Sequence, residues 1–312
     1  MLKYVLVTPA QNEEAFIAKT IESVVRQTHR PAKWVIVSDG STDRTEEIVE
    51  RYVADNPWIE LLRMPPRTER DFSGKVRCFA AGASLFAGTE YELIGNLDGD
   101  VSFGEDYFEF LLGQFERDPS LGVAGTPFVE ESGYSSATKS FEGYKHVAGA
   151  CQLFRRECFE GIGGYKPVKA GGIDWVAVTT ARMKGWTTRS FRERQLLHHR
   201  PIGTAGKSEI TATFAHGVKD YFLGGHPVWQ FCRVLFRMAQ RPYVIGGFAL
   251  GGGYLWATIT RRERSVSREL MQFHRKEQMS KLALIVRKTF RFQAVDSFNL
   301  DVDDEQKARL AG

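Results

Sequence analysis

The stretch ELIGNLDGDVSF (92–103) leaves an apolar run and at once presents two carboxylates, Asp98 and Asp100, with one glycine between them. Two carboxylates at i and i+2 just past a strand can share one hard divalent cation, and Mg²⁺ is commonly held by one or two carboxylates plus phosphate oxygens. The plainer alternative is a type I turn with aspartate at both ends. The surrounding pattern bears on the choice. YVLVTP (4–9), KWVIVSDGST (33–42) and IELLRMPP (59–66) read as strands ending in proline or polar turns. Between them, 13–28 repeats Ile17, Ile21, Val24 and Val25 on one helical face, 43–57 carries acids in its first turn, and 74–88 is a third helix. Strands alternating with helices predict a parallel, doubly wound sheet. Ligands bind such sheets at the carboxyl ends of the strands. TPAQNEE, SDGSTD and LDGD all fall at those ends.

Farther on, 106–119 reads as a helix, 122–130 as a strand, 148–165 as strand, turn and short helix, 173–186 as a helix, and 187–201 as a strand with a basic turn. From about residue 206 the alternation stops and the chain becomes helical, aromatic and basic. The expected division is a catalytic domain over 1–205 and a helical extension over 206–312.

A net charge of +4 over 312 residues is too small to argue for nucleic acid. Cys78, Cys151, Cys158 and Cys232 show no CxxC spacing, which suits a reduced compartment. The start, MLKYVLVTPAQNEE, turns polar too early for a signal peptide. No GxGxxG follows the first strand and no GxxxxGK[ST] occurs, so a dinucleotide-binding or P-loop reading lacks its motif. Asp39, just past the second strand, is placed to accept hydrogen bonds from a ribose or a base N–H, or belongs to the cap of the helix that follows.

In order, VTPAQNEE, QTHRPAKWVIVSDGSTDRT, GKVRCFAAGASL, LDGD, GACQLFRRECFEGIGGY and IDWVAVTTARMKGW resemble family 2 of the glycosyltransferases. The resemblance covers about residues 3–200 and implies the GT-A fold, a Rossmann-like, mostly parallel sheet flanked by helices. It implies a nucleotide-diphosphate sugar donor, UDP-linked before others, and a divalent cation, Mg²⁺ or Mn²⁺. It further implies that Pro9, Gln11 and Glu13 touch base and ribose, that Asp39 binds the nucleotide, and that Lys75 approaches donor phosphate. Asp98 and Asp100 would then form the metal-binding DxD, and Asp174 would supply the catalytic base. The sequence departs from the family at Ser38, where an aspartate is usual, at Gln11, where tyrosine is common, and at Ile173, where the ED motif has glutamate. The QxxRW motif of processive synthases is absent and LLHHRP (196–201) stands near its place, which favours single additions.

After the last strand, His198 offers a third metal ligand and Arg200 a phosphate clamp, against the alternative of a surface turn. Asp174 as the N-cap of its helix is the alternative to the base. Trp175 is either an acceptor wall or a core residue. In the extension, Arg233, Arg237 and Arg241 recur at i+4 with Phe231, Val234, Leu235 and Met238 between them. That pattern fits an amphipathic helix on an anionic membrane surface, a helix packed on protein, or an oligomer contact. The apolar run 243–260 holds five glycines and is short for a span. The expectation is a peripheral enzyme on the inner face of the plasma membrane with a glycan or lipid-linked acceptor. Its rivals are a polyprenyl-phosphate glycosyltransferase, a non-catalytic sugar-nucleotide scaffold and a nucleotidyltransferase.

Overall fold

A computed structural model describes residues 1–65, 73–139, 143–168, 171–200, 208–291 and 300. In chain order its elements begin β1 (Tyr4–Ala10), α1 (Ile17–Val25), β2 (Lys33–Asp39), α2 (Thr45–Asp55), β3 (Ile59–Met64) and α3 (Ser73–Ser84). They continue with β4 (Leu93–Leu97), β5 (Val101–Ser102), α4 (Tyr107–Arg117), β6 (Leu121–Gly125), β7 (Phe128–Glu130) and α5 (Ser136–Lys139). Then come β8 (Cys151–Arg155), α6 (Arg156–Ile162), α7 (Ile173–Met183), β9 (Thr187–Ser190) and β10 (Leu196–His198). Four helices follow: α8 (Glu209–Phe222), α9 (Pro227–Met238), α10 (Ile245–Ile259) and α11 (Arg268–Phe290).

The chain forms two compact units, Met1–Lys169 with Ile173–Pro201, and Ala170–Gly172 with Ile202–Gly312. The division expected at 205/206 lies outside the described residues. In the first unit seven strands run in the order β3-β2-β1-β4-β8-β6-β9. All pairings are parallel except those of β8, which is antiparallel to both β4 and β6. The period-2 alternation of strand side chains explains why β1 reads as a continuous apolar run. Tyr4 and Leu6 join one buried cluster, Val5 and Val7 the other, so helices cover both faces. Trp34 and Ile36 against Val35 and Val37 divide β2 the same way. The indole of Trp34 stays satisfied in the core by donating to Thr8 Oγ1 at 2.9 Å. Each fully buried aliphatic side chain of this kind contributes about 1.5–3 kcal/mol.

A second sheet of very short strands, β5-β10-β7, adjoins the end of β4 in sequence. It corrects two expectations. The strand read over 122–130 is two strands, β6 and β7, separated by Thr126 and Pro127 and lying in different sheets. The strand and turn read over 187–201 are likewise β9 in the large sheet and β10 in the small one. The turn expected between β8 and α6 is absent, since α6 begins at the residue after β8.

The second unit is helical. Ser208 caps α8 by accepting from Thr211 N at 3.2 Å, and Ser267 caps α11 by accepting from Leu270 N at 3.2 Å. α8 and α10 approach closely through glycine. A Cβ on Gly217 would lie 2.0 Å from the Leu250 carbonyl oxygen, and one on Gly253 would lie 2.1 Å from that of Phe214. Arg233 and Arg237, read on the basic face of an amphipathic helix for a membrane surface, a protein or an oligomer contact, are paired with α8, donating to Asp220 at 2.6 Å and to Glu209 at 3.0 Å. No helix among the described residues is long and apolar enough to cross a membrane.

Candidate functional site

The strand order places β1 between β2 and β4, so their carboxyl ends are neighbours. Pro9 opposes Val37 in the β1–β2 register, and Gln11 reaches across to donate from Nε2 to the Asp39 carbonyl at 3.1 Å. Asn12 turns the chain at φ 56°, with its N–H on Ser41 Oγ and its Oδ1 taking the Thr42 N–H at 2.8 Å. Asp39 is buried at the end of β2. Ser38, the departure from the family pattern, is buried beside it and donates to Glu46 at 2.6 Å, and Glu46 in turn pairs with Arg63. A carboxylate therefore reaches this point from α2, where the family pattern carries one on the strand.

At the end of β4 the chain turns through Asp98–Gly99–Asp100 and is held from both sides. Asp98 N–H donates to the Ala150 carbonyl at 2.9 Å, while Thr20 on α1 accepts from Val101 N–H at 3.1 Å and donates to its carbonyl at 2.8 Å. The antiparallel pairing of β10 with β5 sets His198 opposite Val101, and His199 N–H donates to the Asp100 carbonyl at 2.9 Å. That register delivers His198 to the acidic turn from about a hundred positions away in the chain. One ligand atom each from Asp98, Asp100 and His198 lie within 4.8 Å of one another. The Arg200 carbonyl, an acceptor only, stands 2.5 Å from His198 Nδ1. Nδ1 must then carry the proton, which leaves the lone pair of the neutral ring on Nε2, 3.6 Å from Asp100 Oδ1.

Glu13, expected at the base or ribose, lies beside this acidic group. Its carboxylate accepts from Arg200 at 2.6 Å, and Arg200 Nε lies 3.8 Å from Asp100. Burial first, then the Asp100 charge, push the Glu13 carboxyl up to about 7, with Arg200 opposing the shift. Burial and the neighbouring Asp98 likewise raise Asp100 above the ordinary carboxylate range. A site that gathers buried carboxylates with a correctly turned imidazole has the donor chemistry of a divalent-cation site. His199 does not take part. Its ring stacks on Phe16 at 5.8 Å and meets Ser102 Oγ at 3.0 Å.

Lys75, from α3, binds Asp98 Oδ1 at 2.5 Å and the Gly149 carbonyl at 3.3 Å. Asn96 donates to that same carbonyl at 2.9 Å and to Asp98 at 3.3 Å. On its other side Gly149 faces Asp174, whose Oδ2 would be 3.1 Å from any Cβ at residue 149. Gly149 is thus the point where the acidic turn and Asp174 meet, and a side chain there would press on Asp174 and make it give by a few tenths of an ångström. Asp174 stands inside the first turn of α7, which starts at Ile173, so it is not that helix's N-cap. Gln152 reaches this end of α7, donating to the Asp174 carbonyl at 3.5 Å, and is itself held by donating to the Val147 carbonyl at 2.7 Å and accepting from Tyr165 at 2.6 Å. Trp175 is buried in the core beside it. Asn96, Gly149 and Gln152 lie inside the quoted stretches ELIGNLDGDVSF and GACQLFRRECFEGIGGY, but their roles could not be read there, since each acts through partners that only the fold brings near.

The family model for glycosyl transferase family 2 matches residues 5–149. The succinoglycan biosynthesis protein ExoA of Rhizobium meliloti (strain 1021) is 29% identical over 179 residues, which are 51% of this chain and 52% of that protein. The chain spans between 11% and 52% of the length of the curated relatives it matches. Among solved structures, the mannosyltransferase PcManGT from Pyrobaculum calidifontis in complex with GDP-Man and Mn²⁺ superposes with a TM-score of 0.54 at 15% identity, covering 96% of this chain and 85% of that one. S. aureus TarS 1–349 in complex with UDP-GlcNAc gives 0.53 at 13% identity, covering 98% and 92%. These likenesses establish a shared fold.

Proposed function

We propose that the protein, whose residues 5–149 match the model for glycosyl transferase family 2, is a metal-dependent, inverting glycosyltransferase of polysaccharide or cell-envelope synthesis. It would move one sugar from a nucleotide-diphosphate donor to a glycan or lipid-linked acceptor at the inner face of the plasma membrane. The carrying observation is the convergence of Asp98, Asp100 and His198, ligand atoms within 4.8 Å, at the carboxyl end of the nucleotide-binding half of the sheet. Those three would hold Mn²⁺ or Mg²⁺, which supplies neutralising charge to a leaving diphosphate. PcManGT and TarS, of the same fold, bind GDP-Man with Mn²⁺ and UDP-GlcNAc respectively, and ExoA serves succinoglycan biosynthesis. UDP is the donor nucleotide favoured here.

Pro9, Gln11 and Asp39 line the nucleoside end. Lys75 and Arg200 bring cations to the diphosphate, Lys75 from α3 and Arg200 from just beyond β10. Glu13 orients Arg200 rather than touching the ribose. Asp174 accepts the proton of the acceptor hydroxyl as that oxygen bonds to the anomeric carbon. The bond from that carbon to the diphosphate oxygen breaks on the opposite face, the diphosphate leaves with the electron pair, and Asp174 returns the proton to solvent. One displacement inverts the centre.

The test measures nucleotide-diphosphate release from a panel of sugar nucleotides with Mn²⁺ or Mg²⁺, with and without membrane extract. Asp174→Asn is expected to lower kcat by about 10²–10⁴-fold with donor affinity kept. Turnover left intact in that variant would make the acceptor a phosphate, which needs no base. Absence of donor binding even with metal would end the enzyme reading.

A further inference from the structure

The second unit carries an apolar face that the proposed chemistry does not use. Val234 and Met238 of α9 lie against Gly247 and Gly251 of α10, and the pairing runs backward along one helix as it runs forward along the other. The two helices are therefore antiparallel. On a right-handed helix of 3.6 residues per turn, positions three before or one after the contacting residue turn to the same flank. On α9 those are Phe231 and Leu235, and on α10 Phe248, whose row continues at i+7 and i+11 through Leu255 and Ile259. Because the helices are antiparallel, both sets emerge on one side of the hairpin. α8 covers the opposite side, through Gly217 and Phe214. The five side chains are all strongly exposed, Phe248 at 66% and Ile259 at 70%. α10 has no charged residue along its whole length.

Charge indicates what covers this face. Residues 227–262 contain five arginines and no aspartate or glutamate. Arg233 and Arg237 are taken up by α8, which leaves Arg241 before α10 and Arg261 and Arg262 after it. Both ends of the apolar stripe thus carry exposed arginine, and the first acid beyond is Glu263, itself followed by Arg264. Tyr243 and Trp256 stand exposed at the same ends, with the Arg262 guanidinium 4.4 Å from the Trp256 ring centre. Aromatic and basic residues bordering an apolar face are the composition of a headgroup boundary. A second copy fits poorly. In a twofold pairing of α10 with itself, parallel or antiparallel, arginine ends meet arginine ends with no acid in 227–262 to offset them. A span is excluded by length, since fifteen residues reach about 22 Å against about 30 Å of hydrocarbon.

We propose that the α9–α10 hairpin is a monotopic docking face for an anionic phospholipid surface, with Phe231, Leu235, Phe248, Leu255 and Ile259 entering the acyl boundary and Arg241, Arg261 and Arg262 meeting the phosphates. It rests on the lipid-linked acceptor reading for its purpose, while its physics is independent of catalysis. The experiment is flotation of the full chain with vesicles of phosphatidylcholine, alone or with about one third phosphatidylglycerol, at low and high salt. The full chain is expected to float with the anionic vesicles at low salt and to lose binding as salt screens the arginines. Phe231→Ser with Phe248→Ser is expected to lower partitioning at least about tenfold, and Arg261→Glu with Arg262→Glu about tenfold. All four positions are exposed, so melting temperatures should stay near that of the parent. A chain that stays at the bottom with anionic vesicles at low salt overturns the proposal. So does a dimer in lipid-free buffer that Phe248→Ser turns into a monomer, which would make the face a self-interface. Donor turnover is measured on the same samples with a soluble acceptor. Failed flotation with turnover kept removes the docking face alone, and flotation without turnover removes the catalytic reading alone.

Discussion

Glu13 concentrates the electrostatics of the site in one side chain. It lies in the connection from β1 to α1, buried, with its carboxylate on Arg200 and with Asp100 and Asp98 adding repulsion. Its carboxyl is pushed up to about 7, by burial first and by Asp100 next, so the folded state holds a proton that the unfolded chain releases near pH 4.5. The stability this confers is fully present below about pH 4.5 and is lost as pH rises toward 7. The shift corresponds to about 3 kcal/mol, most of it lost between pH 5 and pH 8. In chelator-treated protein, urea unfolding at pH 5 and at pH 8 should show the parent losing about that much more than Glu13→Gln, which cannot ionise. Equal losses in the two proteins would mean that Glu13 ionises normally and that Arg200 fully compensates its burial. The same residue marks a limit of motif reading. TPAQNEE placed Glu13 near a nucleotide, but the burial that turns it toward Arg200 depends on a residue 187 positions away.

Glycine has opposite consequences in two helices, and the difference separates propensity from packing. Gly113 sits in α4 with nothing within 4 Å of a would-be Cβ. Gly113→Ala should stabilise the protein by about 0.5–1 kcal/mol, through helix propensity alone. Gly253 lies in α10 with its missing Cβ 2.1 Å from the Phe214 carbonyl oxygen, so Gly253→Ala must force α8 and α10 apart. That costs about 1–3 kcal/mol beyond the propensity gained. Thermal unfolding of the two variants should therefore move in opposite directions, and a rise for both would mean that α8 and α10 pack more loosely than described. The glycines of 243–260 were legible only as an argument against a membrane span, whereas their role is close helix approach. Elsewhere legibility follows length and periodicity. β1, β2 and β3, six or seven residues each, and the amphipathic α1 and α2 were readable because buried alternation and helical spacing repeat within them. β5, β7 and β10 have two or three residues each, too few to show any period, and they exist only through pairing with one another. That is why the runs 122–130 and 187–201 were each read as one strand. The small sheet nonetheless carries His198 to Asp100, so its pairing decides the site even though its elements were hidden.

Across the whole molecule the site depends on the assembled fold, since it joins β1, α3, β4, α7 and the end of β10. Asp98, Asp100 and His198 gather only when both sheets are complete, so a cation that binds all three stabilises the folded state alone. On the proposed function a donor diphosphate shares that cation, and each must then raise the affinity of the other by the same factor. Saturation at about a hundred times the dissociation constant adds about 2.7 kcal/mol. For a chain of this size that raises the melting temperature by about 4 °C. Mn²⁺ alone and UDP alone should each give small shifts, and the two together a shift clearly larger than their sum. Asp100→Ala should abolish the excess and leave the small UDP shift, because Gln11 and Asp39 meet at the end of β2, on the other side of β1 from β4. Strictly additive shifts in the parent would separate the nucleotide from the cation and leave the acidic cluster without its role at the leaving group.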